Sequence, residues 1–130
     1  MIISPSFETL DKLRRHQVHS LFLLDEIESE LISNSLSQAL TKTERSFSQS
    51  SNKYYKRDGE VFFSIYHSGQ YCIFLYFLSR QIFLDNPGNS TLADKIYYLN
   101  KSLNGLDLFY EIKMPEAFQL DHPVGSVMGR

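Results

Sequence analysis

GLDLFYEIKMPEAFQLDHPVGSVMGR, running from Gly105 to Arg130, is where the chain changes its period. Within it Leu106, Ile112, Phe118 and Val124 fall six residues apart, and Leu108, Met114 and Leu120 form a second set with the same spacing. A helix repeats at about 3.6 residues and a strand at about 2, so neither has a reason to keep that interval. Pro115 and Gly125 would also interrupt a simple strand. A hexapeptide period belongs to parallel β-helices, in which one apolar residue on each short side faces the coil interior. The competing reading is an irregular tail packed on whatever precedes it.

What precedes it reads as helical. From His16 to Leu40 the apolar positions Leu21, Leu24, Ile27, Leu31, Leu36, Ala39 and Leu40 recur at helical spacing with Asp25, Glu26, Glu28, Glu30 and Gln38 in the gaps, which predicts one amphipathic helix. Ser6 to Arg15 predicts a shorter helix before it, with Ser6 as N-cap. Residues 46–60, SFSQSSNKYYKRDGE, show no sustained period and are expected to form a mobile loop carrying an aromatic-basic cluster. Ser68 to Leu84 is apolar around almost its whole circumference and predicts a buried helix, stopped by the turn residues Asp85 to Asn89. Thr91 to Asn104 predicts a helix capped by Ser90, with Leu92, Ile96, Leu99 and Leu103 as its stripe and Gly105 beyond its end.

At 130 residues, 42% hydrophobic and 22% charged, the chain has the composition of a soluble domain with room for one core. A net charge of -2 withholds the broad basic field that a nucleic-acid or anionic-membrane binder uses, so small molecules or proteins are the expected partners. One cysteine, Cys72, excludes an internal disulfide. The opening residues Met1 to Ser6 lack the basic and apolar regions of a secretory signal, so a reducing cytoplasm is the expected compartment. Val61 to Ser79 carries no charged residue for 19 positions, but Ser64, His67, Ser68, Gly69 and Gln70 interrupt it, and a buried helix is preferred to a membrane span.

Gly105-Leu106-Asp107, Leu120-Asp121-His122, Gly125, Val127 and Gly129 together resemble the entry into the left-handed β-helix of serine acetyltransferases, a hexapeptide-repeat acyltransferase family. Asp107 and His122 stand fifteen residues apart in this chain, as that entry has them. Upstream, Phe74 to Ser79 and Tyr97 to Lys101 look like the helical domain of serine acetyltransferase-like proteins found among surface-polysaccharide enzymes. The resemblance implies a mainly α fold: a helical N-terminal domain over residues 1–104, concerned with oligomerisation and the substrate side, and the first coil of a truncated left-handed parallel β-helix over 105–130. It also implies a full-length protein that transfers acetyl from acetyl-CoA to the hydroxyl of serine or a related small acceptor, assembled as a trimer or dimer of trimers.

In that reading His122 is the catalytic base and Asp107 the carboxylate that orients it, while Asp121 meets the substrate amine and Asp58 is a loose counterpart of a second substrate carboxylate. The chemistry is sound, because an imidazole titrating near about 6.5 can take a hydroxyl proton and a carboxylate behind it stabilises the imidazolium. No metal is required. The main acetyl-CoA site is expected beyond residue 130, and residues 1–130 alone are expected to be inactive. Leu108-Phe109-Tyr110 stands where many members have a His-Pro pair, and Arg130 where an acidic residue is usual.

Plainer roles compete with each of these. His122 can be a polar surface residue, and Asp107 and Asp121 turn or cap acids. His67-Ser68 are adjacent, so they do not face each other as a hydrolase pair. His16 and His19 share a helical face but have no third zinc ligand. Lys53-Tyr54-Tyr55-Lys56-Arg57 has the composition of a single-strand binder, against which stand its shortness and the acidic chain around it. Cys72 is expected to be an inert core thiol. The alternative to an enzyme is a non-catalytic helical interaction module that leaves the aromatic faces of Tyr71, Tyr76, Phe77, Tyr97 and Tyr98 for a partner.

Overall fold

A computed structural model describes residues 1–129; Arg130, singled out above for standing in an acidic position, lies outside the described residues. The fold is mainly helical with a little sheet. Among the described residues there are four α-helices: α1 (Phe7–Phe22), α2 (Glu26–Ser48), α3 (Ser68–Asp85) and α4 (Thr91–Asn104). Five short strands accompany them: β1 (Ile2–Ser4), β2 (Lys56–Arg57), β3 (Glu60–Ser64), β4 (Asp107–Leu108) and β5 (Val127–Met128).

The helix expected to run unbroken from His16 to Leu40 is two helices. Leu23 adopts a left-handed backbone (φ 55°) and closes α1, its amide donating to the His19 carbonyl. Asp25 then opens α2 with a capping box, accepting from the Glu28 amide while the Glu28 carboxylate accepts from the Asp25 amide. The stripe read across that break mixed two faces, which is why Leu21 and Ile27 are 52% and 70% exposed. Ser6 caps α1 through the Thr9 amide, as expected. Ser90 stands at the α4 N-cap, but its side chain makes no cap bond.

Residues 46–60 are more ordered than a loop. Helix α2 continues to Ser48, a 3-10 turn spans Lys53–Tyr55, and β2 and β3 form a hairpin in which Arg57 pairs with Glu60. Its two-residue turn is Asp58-Gly59, with φ of 52° and 79°, the mirror-image turn that matches strand twist. On its other edge β3 pairs in parallel with β1, Ile2 to Phe62 and Ser4 to Ser64.

Helix α3 is the axis of the molecule. Residues from Gly69 to Ser79 are all buried, because α2 and α4 flank it and β3 crosses its start. Each large apolar side chain so enclosed contributes roughly 1.5–3 kcal/mol relative to exposure. The expectation that Tyr71, Tyr76 and Phe77 present open faces to a partner is therefore corrected: they are 2%, 1% and 7% exposed. Tyr76 hydroxyl donates to the Ile112 carbonyl and accepts from the Met114 amide, and Phe118 packs on the rings of Tyr76 and Phe77. Tyr98, at 55% exposed, does stay open.

Residues after Asn104 turn at Gly105, which has φ 66° and leaves only 3.3 Å between a would-be Cβ and the Val124 Cα. A side chain there would meet backbone, so the glycine serves both the helix end and the close approach. The chain wraps over the α3–α4 surface and returns so that β4 and β5 pair in parallel, Asp107 with Val127 and Leu108 with Met128, a return of 20 residues. Leu106 and Leu108 are buried, while Ile112, Phe118, Met114 and Leu120 are half-buried on the core. Val124 departs from the six-residue set and is 78% exposed.

Candidate functional site

Asp107 occupies the first position of β4, directly after the Gly105 turn, and its carboxylate is fully engaged. One oxygen accepts from the Tyr97 hydroxyl and the other lies 3.3 Å from Lys101 Nζ. Tyr97 and Lys101 are four apart on α4 and so share one face. The Tyr97 hydrogen bond, with Lys101 behind it, holds the Asp107 carboxyl below its usual range. The same contacts push Lys101 up, while burial and then Asp107 push Tyr97 up. Asp107 is thus an ionised carboxylate whose orientation is set by α4.

Asp121 and His122 lie side by side at the other end of the wrap, both exposed. Asp121 accepts from the Gln119 side-chain amide and, at 3.5 Å, from that of Asn52. Ser50 donates to Gln119, which ties the segment between α2 and the 3-10 turn to the 119–121 corner. His122 forms no hydrogen bond with Asp107, whose two oxygens go to α4. Asp58 sits at the exposed tip of the β2–β3 hairpin, bonded to neither Asp121 nor His122. Of the four predicted site residues, the chain places two together and leaves Asp107 and Asp58 on separate elements.

Three neighbours of the 120–122 corner stand out in sequence only for other reasons, Gly69 and His67 as breaks in an apolar run and Tyr55 as part of the basic-aromatic cluster. Gly69, in the first turn of α3, is overlain by the Leu120 carbonyl oxygen, leaving no room for a Cβ. His67, the α3 N-cap, accepts the Gln70 amide through Nδ1 at 3.2 Å. Tyr55 is 1% exposed, packs edge-on against Phe47 and His67, and has a buried hydroxyl with no hydrogen-bond partner. Burial, with Asp121 nearby, pushes its ionisation well above the usual range. Asn52, which caps the 3-10 turn through the Tyr54 amide, was the one residue whose type announced a local role.

The remaining candidates have structural roles. His19 Nδ1 accepts from the Leu24 amide at the end of α1. Cys72 is buried, its thiol pushed up to about 12 by that burial. Among the described residues no three His, Cys, Asp or Glu side chains are grouped to hold a metal ion, and no helix is long and apolar enough to cross a membrane.

The hairpin and the start of α3 border a cleft of about 550 Å³, lined by Lys53, Tyr54, Lys56, Arg57, Tyr66 and His67 over a floor of Phe62 and Gln70. Gln70 builds it. Fully buried, it accepts from the Ser64 amide at 2.7 Å and donates to the Phe62 carbonyl at 2.9 Å and the Tyr54 carbonyl at 3.3 Å. Its side chain takes the place of a strand beside β3 where β2 has ended. No family model, curated protein or solved structure matches this chain.

Proposed function

We propose that this protein is the helical part and first coil of an acetyl-CoA-dependent O-acetyltransferase, resembling serine O-acetyltransferases, acting in the cytoplasm. The observation that carries the reading is the parallel closure of β4 on β5, which brings the chain round in one turn and leaves Asp121-His122 at its last corner. That return of 20 residues compares with the 18 of three hexads, and we read it as the first turn of a left-handed parallel β-helix.

His122, exposed and without a hydrogen-bond partner among the described residues, accepts the proton of an acceptor hydroxyl in this reading. The oxygen then forms a bond to the thioester carbonyl carbon of acetyl-CoA, the carbon–sulfur bond breaks, and the departing thiolate takes the proton back from the imidazolium. In this reading Asp121 holds an ammonium group of a small acceptor such as serine. Asp107 is ionised but turned to Tyr97 and Lys101, so its part in orienting His122 requires the carboxylate to exchange partners. Asp58, at a hairpin tip, is left as an outer contact for substrate.

The test is release of CoA thiol from acetyl-CoA with serine, and with other hydroxyl acceptors, by the complete gene product. His122→Ala is expected to abolish turnover with helix content unchanged, and residues 1–130 alone to show none. Turnover that survives His122→Ala, or no transfer to any hydroxyl acceptor by the complete product, overturns the assignment.

A second reading, a helical self-association module, is favoured by one observation. Leu21, Leu23 and Ile27 are 52–70% exposed around the α1–α2 corner, and Tyr98 lies next to it through its contact with Phe22. Large apolar groups gathered in one place are a feature of contact surfaces. The two readings are compatible, with this corner joining subunits of a homo-oligomer. Light scattering decides: a strict monomer at high concentration removes the module.

A further inference from the structure

We propose that the cleft between the β2–β3 hairpin and the start of α3 binds a small phosphorylated ligand carrying a flat ring, of the size and chemistry of a nucleoside monophosphate. Lys53, Lys56 and Arg57 line it, and among the described residues none of the three has a carboxylate within ion-pair distance. By contrast Arg14, Arg15, Arg45, Lys95 and Lys101 are each paired with an acid. In the second cleft, of about 200 Å³, Arg45 is paired with Glu116, Lys42 donates to Gln81 and Arg80 donates to the carbonyls of Tyr110 and Glu111, beside Lys113.

Three cations without an ion pair on one concave surface match a dianionic phosphomonoester, which offers three acceptor oxygens. The α3 N-cap, His67, lies on the same wall, where the helix dipole adds positive potential. The ring is called for by the rest of the lining. Tyr54 and Tyr66 are 59% and 75% exposed at the cleft; Tyr54 lies near the His67 ring, centroids 6.3 Å apart, with Lys53 Nζ 5.2 Å from its ring centroid, and Tyr66 offers a large flat face. Arg57 already stacks on Phe62, 3.9 Å from the ring centroid, so its guanidinium face is presented flat.

A volume of about 550 Å³ suits one small molecule. A nucleic-acid strand needs a track of roughly four or more nucleotides with cations along it, and the acidic groups Asp58 and Glu60 bound this patch at the hairpin tip. The proposal is independent of the transferase reading, because none of the residues lining the cleft is assigned to acetyl transfer.

The probe is adenosine 5′-monophosphate, titrated by calorimetry and by amide chemical shifts, with adenosine, inorganic phosphate and a thymidine 16-mer as separate arms. Expected are a Kd below about 1 mM, shifts confined to residues 53–57 and 64–70, weaker binding of adenosine and of phosphate alone, and at least a tenfold loss in Lys56→Ala/Arg57→Ala. Folding of the variant is checked by its unchanged circular dichroism, and Tyr66→Ala, which keeps the cations, is expected to weaken the monophosphate but not inorganic phosphate. No binding of the monophosphate, binding unaffected by the double substitution, or a 16-mer bound far more tightly than the monophosphate through the same residues would each overturn the proposal.

Discussion

Replacing Gln70 by leucine tests how the cleft is built. The side chains are close in volume, so the substitution opens no large cavity and isolates the hydrogen bonds. It strips the Ser64 amide of an acceptor at 2.7 Å and the Phe62 carbonyl of a donor at 2.9 Å, with a longer contact to the Tyr54 carbonyl at 3.3 Å. Gln70 is fully buried, so water does not replace these partners without opening the structure. Each orphaned buried group costs about 1–3 kcal/mol. Two well-formed bonds and one long one give a loss of about 3–6 kcal/mol, offset by about 1–2 kcal/mol for the greater apolar surface of leucine. The net expectation is a destabilisation of about 1–5 kcal/mol, or about 4–18 °C in Tm for a chain of this length. Urea unfolding followed at 222 nm measures it, and hydrogen exchange localises it: the Ser64 amide is expected to lose protection while amides in the middle of α4 fall only by the global change. If Gln70→Leu is as stable as the parent, Gln70 does not act as the strand that β3 lacks, and the account of the cleft fails.

Three further outcomes follow from particular contacts. Arg14 is fully buried, pairs with Asp11 and leaves Nε and one terminal nitrogen without partners, so burial pushes its ionisation down; Arg14→Met, with Arg15 still 3.3 Å from Asp11, is expected to be neutral or to stabilise by up to about 1 kcal/mol in thermal unfolding. Tyr97→Phe is expected to raise the Asp107 pKa towards its ordinary value, read by carboxyl NMR titration. Because folding lowers that pKa, the interaction supports the fold above the unfolded value of about 4 and is lost as pH falls through the folded one, so the stability gap between parent and Tyr97→Phe should narrow in acid. Gly69→Ala sets a Cβ against the Leu120 carbonyl and 3.1 Å from the His67 ring; despite alanine's helix propensity it is expected to cost about 1–2 kcal/mol and to shift the Asp121 and His122 resonances, and equal stability would show that the corner does not rest on α3.

Helices α3 and α4 could be read because their sequences carry the whole instruction. Seventeen of the eighteen α3 positions lie in the expected span from Ser68 to Leu84, and the bounds of α4 are those that its stripe and Gly105 announce. The α1–α2 break escaped because a leucine, not glycine or proline, takes the left-handed backbone at residue 23, and the periodicity runs on across it. Asp25 and Glu28, three apart before an apolar run, were the available sign. Strand β1 pairs with residues 60 positions away, so nothing local could show it, whereas Asp58-Gly59 did carry a hairpin signal. The basic cluster was visible as composition, but its other wall, from Phe62 to Gln70, comes from a charge-free stretch whose polar residues gave no sign of facing it. Asp121 and His122 were found as neighbours in sequence, while the partners of Asp107 depend on how α4 meets β4, which spacing does not encode.

Helix α3 has no solvent-facing side over most of its length, and this governs how the chain reaches its fold. An amphipathic helix can rest half-formed with its polar face in water, but α3 cannot, because α2 alone covers one flank. During synthesis α2 and α3 emerge before α4, so the side that α4 covers stays bare until residues 91–104 follow, and the Tyr76–Phe77 surface waits longer still for Phe118. A ribosome adding about 5–20 residues per second leaves that surface open for seconds. The nascent chain therefore carries an aggregation-prone interval set by the distance from α3 to Phe118, and any truncation between them leaves a helix that chaperones bind and solvent does not tolerate.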